Sequence, residues 1–452
     1  MFGASKSGSA VPKDPYFSSV SLLLNGDGTN GAQNNTIVDS STTALSFTRT
    51  ASVTQGSFNP FGLPAPYSTS VNGGSLYFPG SSYLTSASLA ANQLTGNYTV
   101  EFWFYQPTAG KQGLVNVTAT ASSGGAGMSV YVDTTSALTF FISGNGTVGT
   151  TTTNIFSLNT WNHIAVVYVS STTTGTLYLN GTSVKTLVRT ATFAATPAIG
   201  VGRIFNDDLA TSAMFTGYIS NVRILKGTAL YTANFTPPTA PLTAITNTYL
   251  LLSGTNAGIY DSAMISDYET VGNAQVSTSV KKYGTGSIAF DGTGDWLLGP
   301  NTTVQQLAAG DFTIEGWVYL SAIGVAYGIV SKGAAATGWS VNITSGNKLQ
   351  FSYTASNLTG ATSLAASTWY YVTVVRSGSA TGNVKIYLNG TLDATSGGAV
   401  TDNFNQTSSI YVGASRTGTT ALNGYIDDLR VTKGVARYTA NFTPPTQPLP
   451  TS

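Results

Sequence analysis

Two glutamates raise the first question about chemistry. Glu101 stands in "YTVEFWFY" (98–105) and Glu315 in "FTIEGWVY" (312–319), each two residues before a tryptophan. Residues two apart on a strand share a face, so each carboxylate lies beside an indole. That pairing suits a polar and aromatic contact to a sugar. It suits equally a sheet carboxylate capped by a backbone donor or by Lys or Arg, with the Trp packed under loops, and this second reading is the expectation. Cleaving a glycosidic bond with retention takes two carboxyls about 5 Å apart, one of them kept protonated. No strand read from the sequence carries acids at i and i+2, and Asp427 and Asp428 are adjacent, which puts them on opposite faces. His163 is the only histidine, and Tyr371 takes the equivalent place later in the chain. A triad or a zinc site needs histidine with partners, so His163 reads as a strand residue. No catalytic residue is expected.

Aromatic residues near acids offer a binding site instead. In "DGTGDWLL" (291–298), Trp296 follows Asp291 and Asp295 in a Gly-rich turn between strands. An aromatic ring there is a platform for the apolar face of a ligand, or an anchor that pins the turn to the body of the protein. Tyr83 holds the corresponding place earlier in the chain, as Met128 does for Trp339. Trp103 and Trp317, and likewise Trp161 and Trp369, match each other, which suits core residues.

These correspondences come from a tandem duplication. "GYISNVRILKGTALYTANFTPPTAPL" (217–242) sets against "GYIDDLRVTKGVARYTANFTPPTQPL" (424–449). Upstream, "WNHIAVV" (161–167) sets against "WYYVTVV" (369–375), and "LYLNGT" (177–182) against "IYLNGT" (386–391). The starts match too, as "SLLLNGDGTN" (21–30) and "YLLLSGTN" (249–256). Collinear matches of this kind mark two copies of one unit. The Pro-rich "FTPPT" that ends each copy cannot extend a central strand and reads as the exit from a domain. The predicted organisation is an N-terminal arm over 1–20 and domains over 21–245 and 246–452. Short alternating runs and Asn-Gly hairpins predict an all-β chain, with one two-sheet antiparallel sandwich per copy.

Composition bounds what the sandwiches can do. The 452 residues carry a net charge of about +1 and only 8% charged residues, without a basic run, which argues against nucleic acid and against a membrane-surface role. Apolar runs such as "IAVVYV" (164–169) are too short to span a bilayer, so no membrane insertion is expected. There is no Cys, which tilts toward folding in a reducing cytoplasm. The start "MFGASKSGSAVPKDPYF" lacks an apolar core of signal-peptide length, so export by a cleaved signal is not expected.

The order of "LLLxG", "GSIAFDGTGDWL", "FTIEGWV", "IVSK", "YYVTVV", "IYLNG" and "GYIDDLRV" resembles laminin-G-like domains of the concanavalin A-like lectin/glucanase superfamily. That resemblance implies a jelly-roll fold and covers both copies. The strings "GVARYTANFTPPTQPLP" and "DPYFSSVSLLLNGDGTN" are similar to laminin-G-like repeats in virion proteins of tailed bacteriophages, particularly those infecting cyanobacteria. A virion protein folds in the host cytoplasm, in keeping with the missing Cys.

The resemblance implies a non-enzymatic structural protein of the particle: a capsid decoration, fibre or adhesion component that contacts host-surface glycan. A bacterial surface adhesin is the rival, and a glycoside hydrolase stands further off. Members of the superfamily often hold calcium between an aspartate before the "LRV"-type strand and oxygens near the domain start. Asp427 matches that aspartate and Asp261 is its proposed companion, so Ca²⁺ is expected in the second domain if in either. Residues 1–20 are the expected attachment to other capsid or tail proteins, or a disordered tail. A homo-oligomer would follow from the symmetry of such a particle.

Overall fold

The computed structural model describes residues 13–452 apart from 63–65, 120–126, 143–147, 191, 205–212, 335–336, 355 and 417. Of the predicted arm, residues 1–12 lie outside the described residues. The chain is all-β, and the helical turns among the described residues are two 3-10 turns, Phe17–Ser19 and Ala90–Asn92. Among the described residues, no helix is long and apolar enough to cross a membrane.

Alternation along the strands builds two sandwiches. In Tyr98–Tyr105, Val100, Phe102 and Phe104 enter one core, leaving Glu101, Trp103 and Tyr105 on the other face. In Phe312–Leu320, Ile314 and Val318 do the same in a second core. The first sandwich has one sheet in which Trp161–Val169, Tyr98–Tyr105, Thr216–Lys226 and Ser75–Pro79 are successive neighbours. Facing it is a sheet in which Met128–Val132, Gln112–Thr118, Ala198–Val201 and Tyr83–Ser86 follow one another. The second sandwich repeats this order with Trp369–Arg376, Phe312–Leu320, Asn423–Lys433 and Ser287–Asp291, facing Trp339–Ile343, Tyr327–Lys332, Ile410–Val412 and Trp296–Gly299. All the strand pairs named are antiparallel.

The Asn-Gly dipeptides form the predicted hairpin turns. Asn180 and Gly181 have φ of 47° and 79°, and Asn389 and Gly390 have 49° and 76°, so both central positions are left-handed. A Cβ on Gly181 would strike the Phe235 carbonyl oxygen, and one on Gly390 the Phe442 carbonyl oxygen. Phe235 N–H and Phe442 N–H donate to the carbonyls of Gly181 and Gly390 at 2.9 Å in both copies. The Asn234 and Asn441 side chains accept from the next residues of the hairpins, Ser183 N–H and Leu392 N–H. The repeated string "YTANFTPPT" therefore grips its own domain's hairpin before the chain leaves.

The strand that opens each copy lies away from the rest of that copy. Val20–Leu24 pairs with Asn423–Lys433 at the far end of the chain, and Leu22 and Leu24 enter the second core. Thr248–Leu252 pairs with Thr216–Lys226, and Leu250 and Leu252 enter the first core. The sequence-order units 21–245 and 246–452 thus exchange their first strands. The physical reason is reach: after "FTPPTAPL" the chain runs straight back along the closing strand it has just left.

Candidate functional site

The glutamate that each copy places beside a tryptophan belongs to a buried clamp. Glu101 Oε1 accepts from Arg223 Nε at 2.8 Å and Nη2 at 2.6 Å, and Glu101 Oε2 accepts from the Tyr231 hydroxyl at 2.8 Å. Glu315 Oε1 accepts from Arg430 Nε at 2.9 Å and Nη2 at 2.7 Å, and its Oε2 accepts from Tyr438 at 2.8 Å and Tyr371 at 2.6 Å. Both glutamates are fully buried. Burial alone would raise the Glu101 carboxyl, but the His163 and Arg223 contacts outweigh it and leave the group below the ordinary range. His163 Nε2 lies 3.4 Å from Glu101 Oε2, in the place that the Tyr371 hydroxyl takes in the other copy. The expected cap on each glutamate is thus an arginine. The tyrosine of the repeated string completes it.

One acidic pair escaped the strand reading. Asp267 and Glu269 are two residues apart, with Glu269 opening the three-residue strand Glu269–Val271. Asp267 is buried and accepts from Phe58 N–H at 3.0 Å and the Ser75 hydroxyl at 2.8 Å, while Glu269 pairs with Arg49 at 3.1 Å. Both carboxyls are engaged by the chain itself.

Trp296, Asp291 and Asp295 come together as the sequence suggested. Asp295 is buried and accepts from the amides of Asn273 and Asp291, both at 2.7 Å. Burial raises its pKa, whereas the exposed Asp291 is lowered, chiefly by the Asn273 side chain at 2.9 Å. The acids tie the turn, and Trp296 lies half-buried against Gly418, 6.3 Å from the Tyr411 ring. Tyr83 occupies the equivalent corner of the first sandwich, with the Arg203 guanidinium 4.5 Å above its ring.

Asp427 and Asp261 are directed at the backbone. Asp427 Oδ2 accepts from the amides of Lys282 at 2.8 Å and Tyr283 at 3.1 Å. Asp261 Oδ1 accepts from Leu23 at 2.9 Å and Ala263 at 3.0 Å. Burial pushes Asp427 up to about 6 and Asp261 up to about 7. Calcium wants six to eight oxygens with free lone pairs, and N–H donors take Asp427 Oδ2 and Asp261 Oδ1, while the buried Asp261 Oδ2 has no partner. Among the described residues, no group of three or more His, Cys, Asp or Glu is placed to hold a metal.

A broad aromatic concavity lies where sequence comparison put core tryptophans. Trp103 and Trp161 are half-buried and line a cleft of about 700 Å³ with Phe58, Tyr105, Asn59 and Asn159. Its far wall is Phe17, Val20, Met264 and Ile265, and among the described residues no charged one lines it. Phe58 holds the floor together, 5.1 Å from Tyr105 and 5.2 Å from Trp161. Trp317, the partner of Trp103, is instead covered by the Lys282 ammonium at 3.9 Å and by Tyr283 at 5.9 Å. Trp339, read beside Trp296 as a variable aromatic, is fully buried in the second core. Copy comparison pairs residues correctly but does not show which face a neighbouring segment covers.

The sequence model of the concanavalin A-like lectin/glucanases superfamily, in its laminin-G form, matches residues 78–231 and again 291–437. The matched ranges make up more than half of the chain, which belongs to that superfamily. Among solved structures it is similar to the LG4-5 domain pair of the mouse laminin alpha1 chain, at 12% identity and a TM-score of 0.29, covering 89% of this chain and 96% of that one. It is also similar to domain 4 of AbnA, a GH43 extracellular arabinanase of Geobacillus stearothermophilus solved with arabinotriose, at 16% identity and a TM-score of 0.31, over 39% of this chain and 87% of that one. The CBM40 of the Ruminococcus gnavus IT-sialidase, bound to alpha2,3 sialyllactose, is similar at 13% identity and a TM-score of 0.29, over 35% and 91%. The comparison with curated proteins gave no match.

Proposed function

We propose that the protein is a non-enzymatic structural component of a tailed-bacteriophage particle that displays two lectin-like sandwiches, the first of which binds neutral glycan on the host surface. The aromatic cleft carries the glycan part of this reading. Its volume falls within the range of small-molecule sites, its walls are rings suited to the C–H faces of a sugar, and the exposed Asn159 supplies an amide for hydroxyls. The uncharged lining favours a neutral saccharide over an acidic one. Many copies on one particle turn a weak site into avid attachment. The virion part rests on the resemblance of the opening and closing strings and on the Cys-free composition. Residues 1–20 are the proposed contact with neighbouring capsid or tail proteins.

A glycan array probed with the full chain tests the glycan reading, run beside Trp161→Ala, Trp103→Ala and Trp296→Ala. The expected result is saturable binding that the two cleft substitutions weaken by roughly tenfold or more, as befits the loss of ~1.4 kcal/mol or more of contact, with Trp296→Ala unchanged. Binding lost only in Trp296→Ala would move the site to the second sandwich. A folded wild type that binds no glycan would leave display alone.

A further inference from the structure

The two opening strands dock in the same way on the two closing strands. Leu22, Leu23 and Leu24 pair with Val431, Arg430 and Leu429. Leu250, Leu251 and Leu252 pair with Ile224, Arg223 and Val222, the matching positions of the first copy. The first sandwich is therefore completed by the strand that opens the next copy along the sequence. Thr248–Leu252 serves the first sandwich by direct continuation. In the second sandwich the same place is filled by Val20–Leu24, from the other side of the first copy in sequence.

All five residues of Val20–Leu24 are buried. Leu22 and Leu24 face the second core, while Val20 and Leu23 pack on Ala263 and Leu449. Polar contacts fix the flanks. Asn25 donates to Asp428 at 2.7 Å, and Asp14 takes both Arg437 Nη atoms, at 2.8 and 2.9 Å, and Arg430 Nη1 at 2.9 Å. In the first sandwich the equivalent Arg223 Nη1 is satisfied by the Thr243 carbonyl at 2.9 Å, a residue on the continuous chain. The residues from 13 to 34 are thus a self-contained plug, and the chain between Asn34 and Phe47 forms no strand.

We propose that this plug is exchangeable, and that the second sandwich accepts residues 13–34 of a second copy of this chain. Every contact named above is the same whether the strand comes from its own chain or from another. The choice between the two is set by effective concentration and by the connecting segment, which is the condition for strand exchange. Passed from chain to chain, the exchange extends the tandem order of sandwiches across molecules, head to tail. Phe17 and Val20, which wall the aromatic cleft, then come from the donor copy.

The Cys-free chain makes the test clean. Val20 and Thr432 are direct partners in the ladder, so Val20→Cys and Thr432→Cys are placed in separate full-length chains. The two are mixed, unfolded, refolded together over a concentration series and oxidised. Exchange predicts a disulfide-linked pair of chains whose yield rises with concentration. The absence of that pair, under conditions where the double variant Val20→Cys/Thr432→Cys closes its internal disulfide, would overturn the proposal. Light scattering on the unmodified chain supplies a second readout. Oligomers that form on concentrated refolding should be missing from the internally closed double variant, and oligomers equally abundant in that variant would also overturn it.

Discussion

The Tyr438 hydroxyl donates to Glu315 Oε2 at 2.8 Å, joining the string that ends the second copy to the middle strand of its sheet. Tyr231 makes the same 2.8 Å bond to Glu101 in the first copy. In each copy the tyrosine ring stacks on the phenylalanine four residues later, with centroids 3.6 Å apart. The recurrence of "YTANFTPPT" is thereby explained by one job: it covers a buried carboxylate–arginine pair and locks onto the neighbouring hairpin.

The clamp predicts an ordered set of stability losses. Glu315→Ala leaves Arg430 in a dry site with Asp14 as its remaining carboxylate partner and should cost about 3 kcal/mol in the second sandwich. Tyr438→Phe removes one of two phenol donors to the same oxygen and should cost only ~1 kcal/mol. Chemical denaturation of the two variants checks the order. Equal losses would mean that the carboxylate is not the centre of the clamp.

Acidic groups at the seam predict a dependence on pH. Asp261 and Asp428 are pushed up to about 7 and Asp427 to about 6, mainly by burial, against about 3.9 in an unfolded chain. Raised folded-state values mean that their contribution is complete below the unfolded value and is lost as pH climbs through 6 and 7. Asp14 and Glu101 act oppositely. Burial pulls each upward, but Arg437 and Arg430 at Asp14, and His163 and Arg223 at Glu101, bring both below the ordinary range. Their contribution fades in acid. Denaturant midpoints should therefore be higher at pH 5 than at pH 8, by an amount on the order of 2 kcal/mol per raised carboxyl, and should fall again below pH 4. Asp261→Asn should flatten the alkaline limb. A profile that rises from pH 5 to pH 8 would contradict these assignments.

Two tryptophans that look alike in sequence should behave differently. Trp339 is fully buried in the second core, so Trp339→Ala should cost about 3–5 kcal/mol. Trp296 is half-buried at a corner, and its removal should cost clearly less. Thermal unfolding of the two variants separates them. Similar losses would mean that the Trp296 turn is part of the core.

Local pattern made much of this legible. Alternation along 98–105 and 312–319, and Asn-Gly at 180–181 and 389–390, specify strands and hairpins through contacts only a few residues long. The destination of Val20–Leu24 was not legible, because two related closing strands offer it the same ladder and only the path of the chain decides between them. The cleft was missed for a related reason. Trp103 and Trp317 match in sequence, yet Lys282 and Tyr283 cover one, while the other faces a gap bordered by residues as distant as Phe17 and Ile265. Asp267 and Glu269 went unread because a three-residue strand carries too little alternation to show itself.

The cleft is the centre of the account, and locating a bound saccharide tests it most directly. The measurement is a crystal structure of the full chain with the neutral oligosaccharide that binds best on the array. The account predicts a sugar ring stacked on Trp161, Tyr105 or Trp103, with a hydroxyl at Asn159. A saccharide seated at the Trp296 turn, with nothing between Trp161 and Met264, would contradict it.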